Sequence, residues 1–422
     1  MLNESSRKTF IKAMSACTLG VTLPAFGIEK TLLNPVKYRR AKSVIYINVS
    51  GGMSHLDTFD PKPGTEQAGP LNSIKTNVTG IHLSEYLPKL AQCMDKIAII
   101  RSMTSTAGAH EQAQYLMQTG YPMRGTIKHP TMGAWILNQS GWINKELPGY
   151  VQINSSGKNI GNGFMATNYG ALPINDPSSG ILYGRLPNQM TQSRFDERLK
   201  KLDILNKNFM KETKAVKIKS YVDIYDDAVK MMESSEFDAF DLKQEDEATR
   251  EKYGDSKVGQ GCLLARRLVE NGVRCVEVKS TGWDTHDNNF EKLADKCPEL
   301  DAGVSSLITE LHERGMLEET MVILTTEFGR TPDVQVNRNN GRNHYPKAFS
   351  AMMAGGGIVG GQVFGKTNKG GHEVEENPVK FGDINATTAF ALGIDPAKRI
   401  MSPTGRPFVM GHKGKVITEL FS

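Results

Sequence analysis

The chain has 422 residues, 39% hydrophobic and 23% charged, with 41 glycines. That composition excludes a globally disordered chain and leaves ample length for a large core. The net charge of +5 is small for this length, and without a basic arm or Arg/Lys run it argues against nucleic acid as a partner.

Ser6-Arg7-Lys8-Thr9-Phe10-Ile11-Lys12 opens the chain, and a short, mildly apolar stretch follows it to Gly27. A basic region ahead of such a stretch predicts an export signal over residues 1–27. The stretch is too short and too polar for a stable membrane span. It resembles a twin-arginine signal, with Lys8 in place of the second arginine. The expected partner is then the twin-arginine export machinery, and the expected location is periplasmic or secreted. Residues 28–41 read as a polar linker. Beyond the signal the cysteines are Cys93, Cys262, Cys275 and Cys297, and no C-x-x-C pair occurs. This argues against a Cys-rich zinc site.

From Lys42 onward strands and helices alternate. Val44–Val49 predicts a strand that runs straight into Ser50-Gly51-Gly52-Met53-Ser54-His55-Leu56-Asp57. Leu83–Met94 reads as a helix. Ile97–Ile100 predicts a strand, leading through a polar loop to His110-Glu111 and a helix over Glu111–Gln118. A further helix is expected over Thr131–Leu137 and a strand over Tyr150–Ile153. Residues 154–195 read as a long loop and 196–255 as charged helices, together an insertion over about 154–255. Gly259–Glu270 predicts a helix, stopped by Asn271-Gly272 and feeding a strand over Val273–Val278. That strand empties into Gly282-Trp283-Asp284-Thr285-His286. A long helix over Phe290–Arg314 feeds a strand over Met321–Thr326, which meets Glu327-Phe328-Gly329-Arg330. Phe349–Ala354 predicts another strand and Asp383–Leu392 a last helix. This alternation predicts an α/β domain over 42–422 with a mainly parallel sheet covered on both faces.

Metal-ligand residue types therefore follow several strands. In an open α/β sheet, ligands bind beyond the carboxyl ends of the strands, so parallel neighbours would bring these side chains to one rim. The candidate metal ligands are His55, Asp57, Asp284, His286, Glu327 and His344. Imidazole with carboxylate suits Zn²⁺ or Mn²⁺, and carboxylates also suit Ca²⁺. Arg330 and Arg342 are candidates to hold an anionic ester oxygen, because guanidinium matches phosphate and sulfate geometry.

Four segments carry a resemblance: Gly51-Gly52-Met53-Ser54-His55-Leu56-Asp57-Thr58-Phe59-Asp60-Pro61-Lys62-Pro63, Gly282-Trp283-Asp284-Thr285-His286, Thr326-Glu327-Phe328-Gly329-Arg330-Thr331-Pro332 and Gly341-Arg342-Asn343-His344-Tyr345-Pro346. They resemble the signature segments of the domain of unknown function 1501 family. That family resembles the alkaline phosphatase and sulfatase superfamily. The resemblance implies an alkaline-phosphatase-like fold, a three-layer α/β/α sandwich, and metal-assisted hydrolysis of phosphate or sulfate esters, on a small-molecule or polysaccharide anionic ester. By order, Asp284 and His286 resemble central ligands of the superfamily and His344 its last histidine. Glu327 stands near a later Asp-His pair, with Phe328 where His is expected. Counting back from Thr119-Gly120 puts His110 at the place of the nucleophilic Cys or Ser, and Ser50-Gly51-Gly52 stands where the first Asp ligand would be. His110 is left as ligand, general acid/base or nucleophile. Ser54 is a reserve nucleophile without the setting of a nucleophile elbow. A non-catalytic exported binding or assembly protein that keeps the fold is the alternative.

Overall fold

The computed structural model describes residues 40–158, 161–181, 184–187, 189–213, 225 and 227–422. The expected export signal and nearly all of the linker lie outside them. Among the described residues no helix is long and apolar enough to cross a membrane.

One eight-stranded sheet organises the domain. Its strands, in chain order, are β1 Ser43–Val49, β2 Ile97–Met103, β3 Tyr150–Ile153, β4 Leu172–Ile174, β5 Cys275–Ser280, β6 Thr320–Thr326, β7 Phe349–Ala354 and β8 Gln362–Phe364. Across the sheet they run β8-β2-β7-β6-β1-β5-β3-β4. β1 pairs in parallel with β5 and β6, β3 with β4 and β5, and β8 with β2. β7 alone runs against both its neighbours, β2 and β6. The sheet is thus mainly parallel, as expected, with one reversed strand whose position matters for the site.

Period-two alternation sends the residues of β1 to opposite faces. Ile45, Ile47 and Val49 join a core with Leu263 and Leu264 of helix α3 (Lys257–Glu270) and Leu307 and Ile308 of helix α4 (Asn289–Glu313). Val44 and Tyr46 join a second core with Trp135 and Ile136 of helix α2 (Met132–Ser140) and Ile384 of helix α5 (Phe381–Ala391). Helices on both faces of one sheet make the three-layer sandwich.

Two local readings of the sequence change. Leu83–Met94 is not one helix: His82–Ser84 pairs as a strand with Ser73–Lys75, and the helix spans only Pro88–Ala91. Pro88 has no N–H to give and so marks a helix start, not an interior. Inside the expected loop 154–195, Leu172-Pro173-Ile174 forms β4. Proline is tolerated there because β4 is the last strand on its side of the sheet.

Helix α1, His110–Thr119, packs a polar stripe toward the strand ends. His110, Gln114 and Gln118 stand four residues apart and share one helix face. Gln118 Nε2 donates to Glu277 Oε1 at 3.1 Å. The buried Glu277 carboxylate also accepts from Asn48, Tyr150 and Gln152. A buried carboxylate with four donors is well satisfied, and it ties the far end of α1 to β1, β3 and β5. The helix is thereby fixed in register against the sheet with His110 at its near end.

Candidate metal centre

The parallel strands place their carboxyl ends on one edge. Ser50-Gly51-Gly52 leaves β1 there, Asp284 and His286 follow β5, Glu327 follows β6, and His110 follows β2. His344 precedes β7, and because β7 runs the other way, its start lies on that same edge. A short antiparallel pairing of Gly329–Arg330 with His344–Tyr345 sets His344 opposite Arg330.

Gly51 and Gly52 let the first strand end come close. Their φ angles are +128° and +86°. A Cβ on Gly51 would lie 2.6 Å from the Asp284 backbone nitrogen, and one on Gly52 would lie 2.6 Å from the Phe328 ring. Only glycine fits both demands. The Gly51 N–H donates to Glu327 Oε1 at 2.9 Å. Arg330, fully buried, donates from Nε to the Gly52 carbonyl at 2.9 Å, from Nη1 to the Arg342 carbonyl at 3.0 Å, and from Nη2 to the Gly51 carbonyl and to Asp284.

Around Asp284 stand three histidines, and each is anchored the same way. His110 Nδ1 is 2.8 Å from Glu327 Oε1. His286 Nδ1 is 2.8 Å from Asn343 Oδ1. His344 Nδ1 is 2.8 Å from the Gly108 carbonyl. An oxygen acceptor on Nδ1 puts the proton there and leaves Nε2 as the lone-pair atom of the neutral ring. All three Nε2 atoms turn inward. His286 Nε2 and His344 Nε2 are 3.0 Å apart. Asp284 Oδ1 is 3.1 Å from the first and 3.3 Å from the second, and Asp284 Oδ2 is 3.3 Å from His110 Nε2. His110 Nε2 is buried and has no hydrogen-bond partner. His110, Asp284 and His344 offer ligand atoms all within 4.8 Å of one another.

The charges agree with this arrangement. Burial would raise the Asp284 carboxyl, but the Arg330 hydrogen bond and charge, with His286 and His110, take it down to about 2. It is a carboxylate at any working pH. The hydrogen bond that His110 Nδ1 donates to Glu327 raises His110 against the effect of burial. Burial first, with the Arg330 and His110 charges, lowers His344 against the Gly108 hydrogen bond, in the direction that favours the neutral ring.

These donors fit a transition-metal ion. With metal–ligand distances of about 2.0–2.2 Å, donors at the corners of a tetrahedron are about 3.3–3.6 Å apart. The 3.0–3.3 Å separations here are close to that. Glu327 behind His110, Asn343 behind His286 and the Gly108 carbonyl behind His344 are the outer partners that orient and strengthen imidazole ligands.

Other residues singled out in the sequence take different positions. His55 is fully buried and its Nε2 lies 2.8 Å from the Gly371 carbonyl. Asp57, also fully buried, pairs with Arg342 at 2.8 Å and accepts from Asn289 at 2.9 Å. Neither enters the histidine cluster. Arg342 is not free to hold an ester oxygen: besides Asp57 it donates to the carbonyls of Thr331, Pro332 and Gln67, which occupies its whole fork. Arg330 likewise spends its donors on the Gly51-Gly52 turn and Asp284, so it positions the site. Ser54 is buried and its Oγ makes no hydrogen bond, so no base is in reach to activate it. Glu327 stands one step back from the cluster, behind His110. Sequence reasoning missed Asn343 and Gln114. Asn343 is the neighbour of His344, and Gln114 lies one turn along from His110, donating to Ser50 Oγ. The i, i+4 spacing is the signal that could have found it.

Residues 41–421 match the family described as "Protein of unknown function (DUF1501)". The chain belongs to the DUF1501 family. No curated protein matches this DUF1501 chain. Among solved structures it is similar to the lipoteichoic acid synthase LtaP from Listeria monocytogenes, at 10% identity and TM-score 0.40, covering 90% of this chain and 77% of that one. It is similar to the PsFucS1 sulfatase from Pseudoalteromonas sp., at 12% identity and TM-score 0.38, over 93% and 72% of the two chains. A protein in the alkaline phosphatase superfamily from Vibrio parahaemolyticus matches at 10% identity and TM-score 0.41, over 93% and 76%. Likeness at these scores says nothing about the activity of this DUF1501 member.

Proposed function

We propose that this chain is an exported, metal-dependent hydrolase of phosphate or sulfate esters. The observation that supports it most is the convergence of three imidazole Nε2 atoms on the Asp284 carboxylate, each ring held through Nδ1 by an oxygen. Asp284, His286, His344 and His110 would hold the ion. A donor set richer in imidazole than in carboxylate suits Zn²⁺ better than Mn²⁺ or Ca²⁺, which favour oxygen ligands. A divalent cation there would supply Lewis-acid polarisation of an ester oxygen. The residues do the rest. Glu327 keeps the His110 proton on Nδ1 and so keeps Nε2 directed at the reacting region. Arg330 holds Asp284 ionised and fixes the Gly51-Gly52 turn beside it. Burial and the neighbouring cations disfavour the charged ring of His344, and the neutral ring is the form with a lone pair to give.

Export rests on the N-terminal segment, which resembles a twin-arginine signal. Export of a folded protein would let the ion be bound before the chain leaves the cytoplasm, with a periplasmic or secreted destination. An anionic ester, free or carried on a polysaccharide, is the substrate class that a cationic centre of this kind would take.

A second reading is a non-catalytic exported binding or assembly protein that keeps one structural ion. It is favoured by the absence, among the described residues of the cluster, of a hydroxyl or thiol paired with a base. An ester panel separates the two: aryl phosphates, phosphonates and sulfates, assayed on protein loaded with Zn²⁺ or Mn²⁺, beside Asp284→Ala. Turnover by the wild type that falls at least a hundredfold in the variant supports the hydrolase. Equal rates in both proteins sink it.

A further inference from the structure

A concavity of about 640 Å³ opens beyond the far end of α1. His110 and Thr119 bound that helix, so the concavity lies about 14 Å along it from the metal cluster, at about 1.5 Å rise per residue. Its floor is a rigid aromatic column. The Tyr121 ring lies between His129 and His412, with centroids 4.4 and 4.2 Å away and planes within 3° and 8°. Phe408 stands edge-on to Tyr121 and His129. The column is pinned at both ends of the Tyr121 hydroxyl, which donates to the Val409 carbonyl at 2.7 Å and accepts from the Val409 N–H at 3.0 Å. His129 is fixed by Tyr115 of α1 at 2.7 Å.

The rim has one sign of charge. Arg124, Arg399, Arg406 and Lys413 line it, and no carboxylate does. Among the described residues none of the four makes a side-chain ion pair, whereas Arg266 and Arg267 elsewhere are each bound by carboxylates. His412 Nδ1 is also buried there without a partner. Four exposed cations from three chain segments share this rim with no carboxylate among them, a field of one sign that raises the local concentration of anions. The volume far exceeds what a free oxyanion fills. Pro122, Pro407 and Phe408 add apolar surface beside the cations. A ligand that satisfies both has a ring with an apolar face and several oxyanion groups. Guanidinium groups match the tetrahedral oxyanion of a sulfate or phosphate ester, and an aromatic edge or face suits the C–H face of a sugar.

We propose that this pocket binds a sulfated or phosphorylated saccharide unit, as a second anion site separate from the metal cluster. It rests on the proposed function only in taking the same ester class, and the two can fail independently.

The test is calorimetric titration of the full chain with a sulfated tetrasaccharide, its desulfated counterpart, a phosphorylated tetrasaccharide, inorganic sulfate and anionic vesicles. The proteins are wild type, Arg124→Ala/Arg406→Ala, Arg406→Glu and Asp284→Ala. The arginines are exposed, so both pocket variants should melt with the wild type. The expected result is binding of a charged tetrasaccharide that weakens as salt rises, falls at least tenfold in both pocket variants and is unchanged in Asp284→Ala. Sulfated and phosphorylated arms then tell which ester is preferred. The proposal is overturned by any of four results: no binding of either charged saccharide, equal binding of the desulfated one, inorganic sulfate or vesicles binding as tightly as the saccharide, or binding lost in Asp284→Ala but intact in the arginine variants. Absent hydrolysis with intact pocket binding would count against the proposed function alone.

Discussion

The Nε2 atoms of His286 and His344 face each other at 3.0 Å, and in both rings Nδ1 is already held by an oxygen, from Asn343 and Gly108 respectively. Two lone pairs at that distance repel. A proton or a metal ion between them removes the repulsion, and Asp284 Oδ1 lies within 3.1–3.3 Å of both. The surrounding structure is built to keep these atoms together: a reversed strand carries His344 to the carboxyl-end rim, and close approach of glycine-bearing turns lets the loops meet.

Glu327 acts through His110. Glu327→Gln keeps the size but can present an amide N–H to His110 Nδ1 and reverse the ring's proton assignment. Metal affinity or turnover should fall about 10–100-fold, with a melting temperature close to that of the wild type. Metal titration of both proteins checks it. An unchanged affinity with unchanged turnover would remove Glu327 from the site.

Asp57 is a structural partner of Arg342. Asp57→Ala would leave the Arg342 guanidinium buried and short of a counter-charge, at a cost of about 3–5 kcal/mol. Chemical denaturation should show that loss, while the folded variant still binds the ion with wild-type stoichiometry. Loss of the ion with little change in stability would instead make Asp57 a ligand.

His129 should make stability fall in acid. Burial first, then the His412 and Arg124 charges, hold it down to about 4 against an ordinary 6.5. Between those values the unfolded chain binds a proton that the folded chain refuses, so its contribution is present above about pH 6.5 and lost as pH falls toward 4. Denaturation midpoints of the wild type should decline across that window. His129→Gln should decline less steeply, and parallel curves would contradict the assignment.

Much of the layout was legible in the residues. The apolar runs at Val44–Val49, Val273–Val278 and Met321–Thr326 are buried on both faces, which is how interior parallel strands read, and ligand-type residues follow each one. Asp284 and His286 could be singled out after one such run and His110 after the apolar Ile97–Ile100, while His344 stands in a segment of its own that carries the resemblance. Their mutual geometry could not, because β7 gives no local sign that it runs backward. His55 and Asp57 misled for a related reason. A buried histidine on a carbonyl and a buried aspartate on an arginine use the same residue types as metal ligands, and only the tertiary partners, Gly371 and Arg342, separate the two roles. Arg342 looked like an anion clamp until its carbonyl partners, far off in sequence, were visible. Pro88 shows the opposite case, a local sign of a helix start inside a hydrophobic pattern that reads as one long helix, whereas at Pro173 the polar surroundings read as loop and the edge position admits the strand.

Metal content tests the central claim most directly. The mature protein would be purified without chelators, reloaded with Zn²⁺ or Mn²⁺ and dialysed, beside Asp284→Ala/His286→Ala, and each measured by elemental mass spectrometry. The account predicts at least one tightly held transition-metal ion per chain in the wild type, lost in the double variant while the fold survives. A wild type that retains no ion after reloading, or a double variant that retains as much, would contradict it.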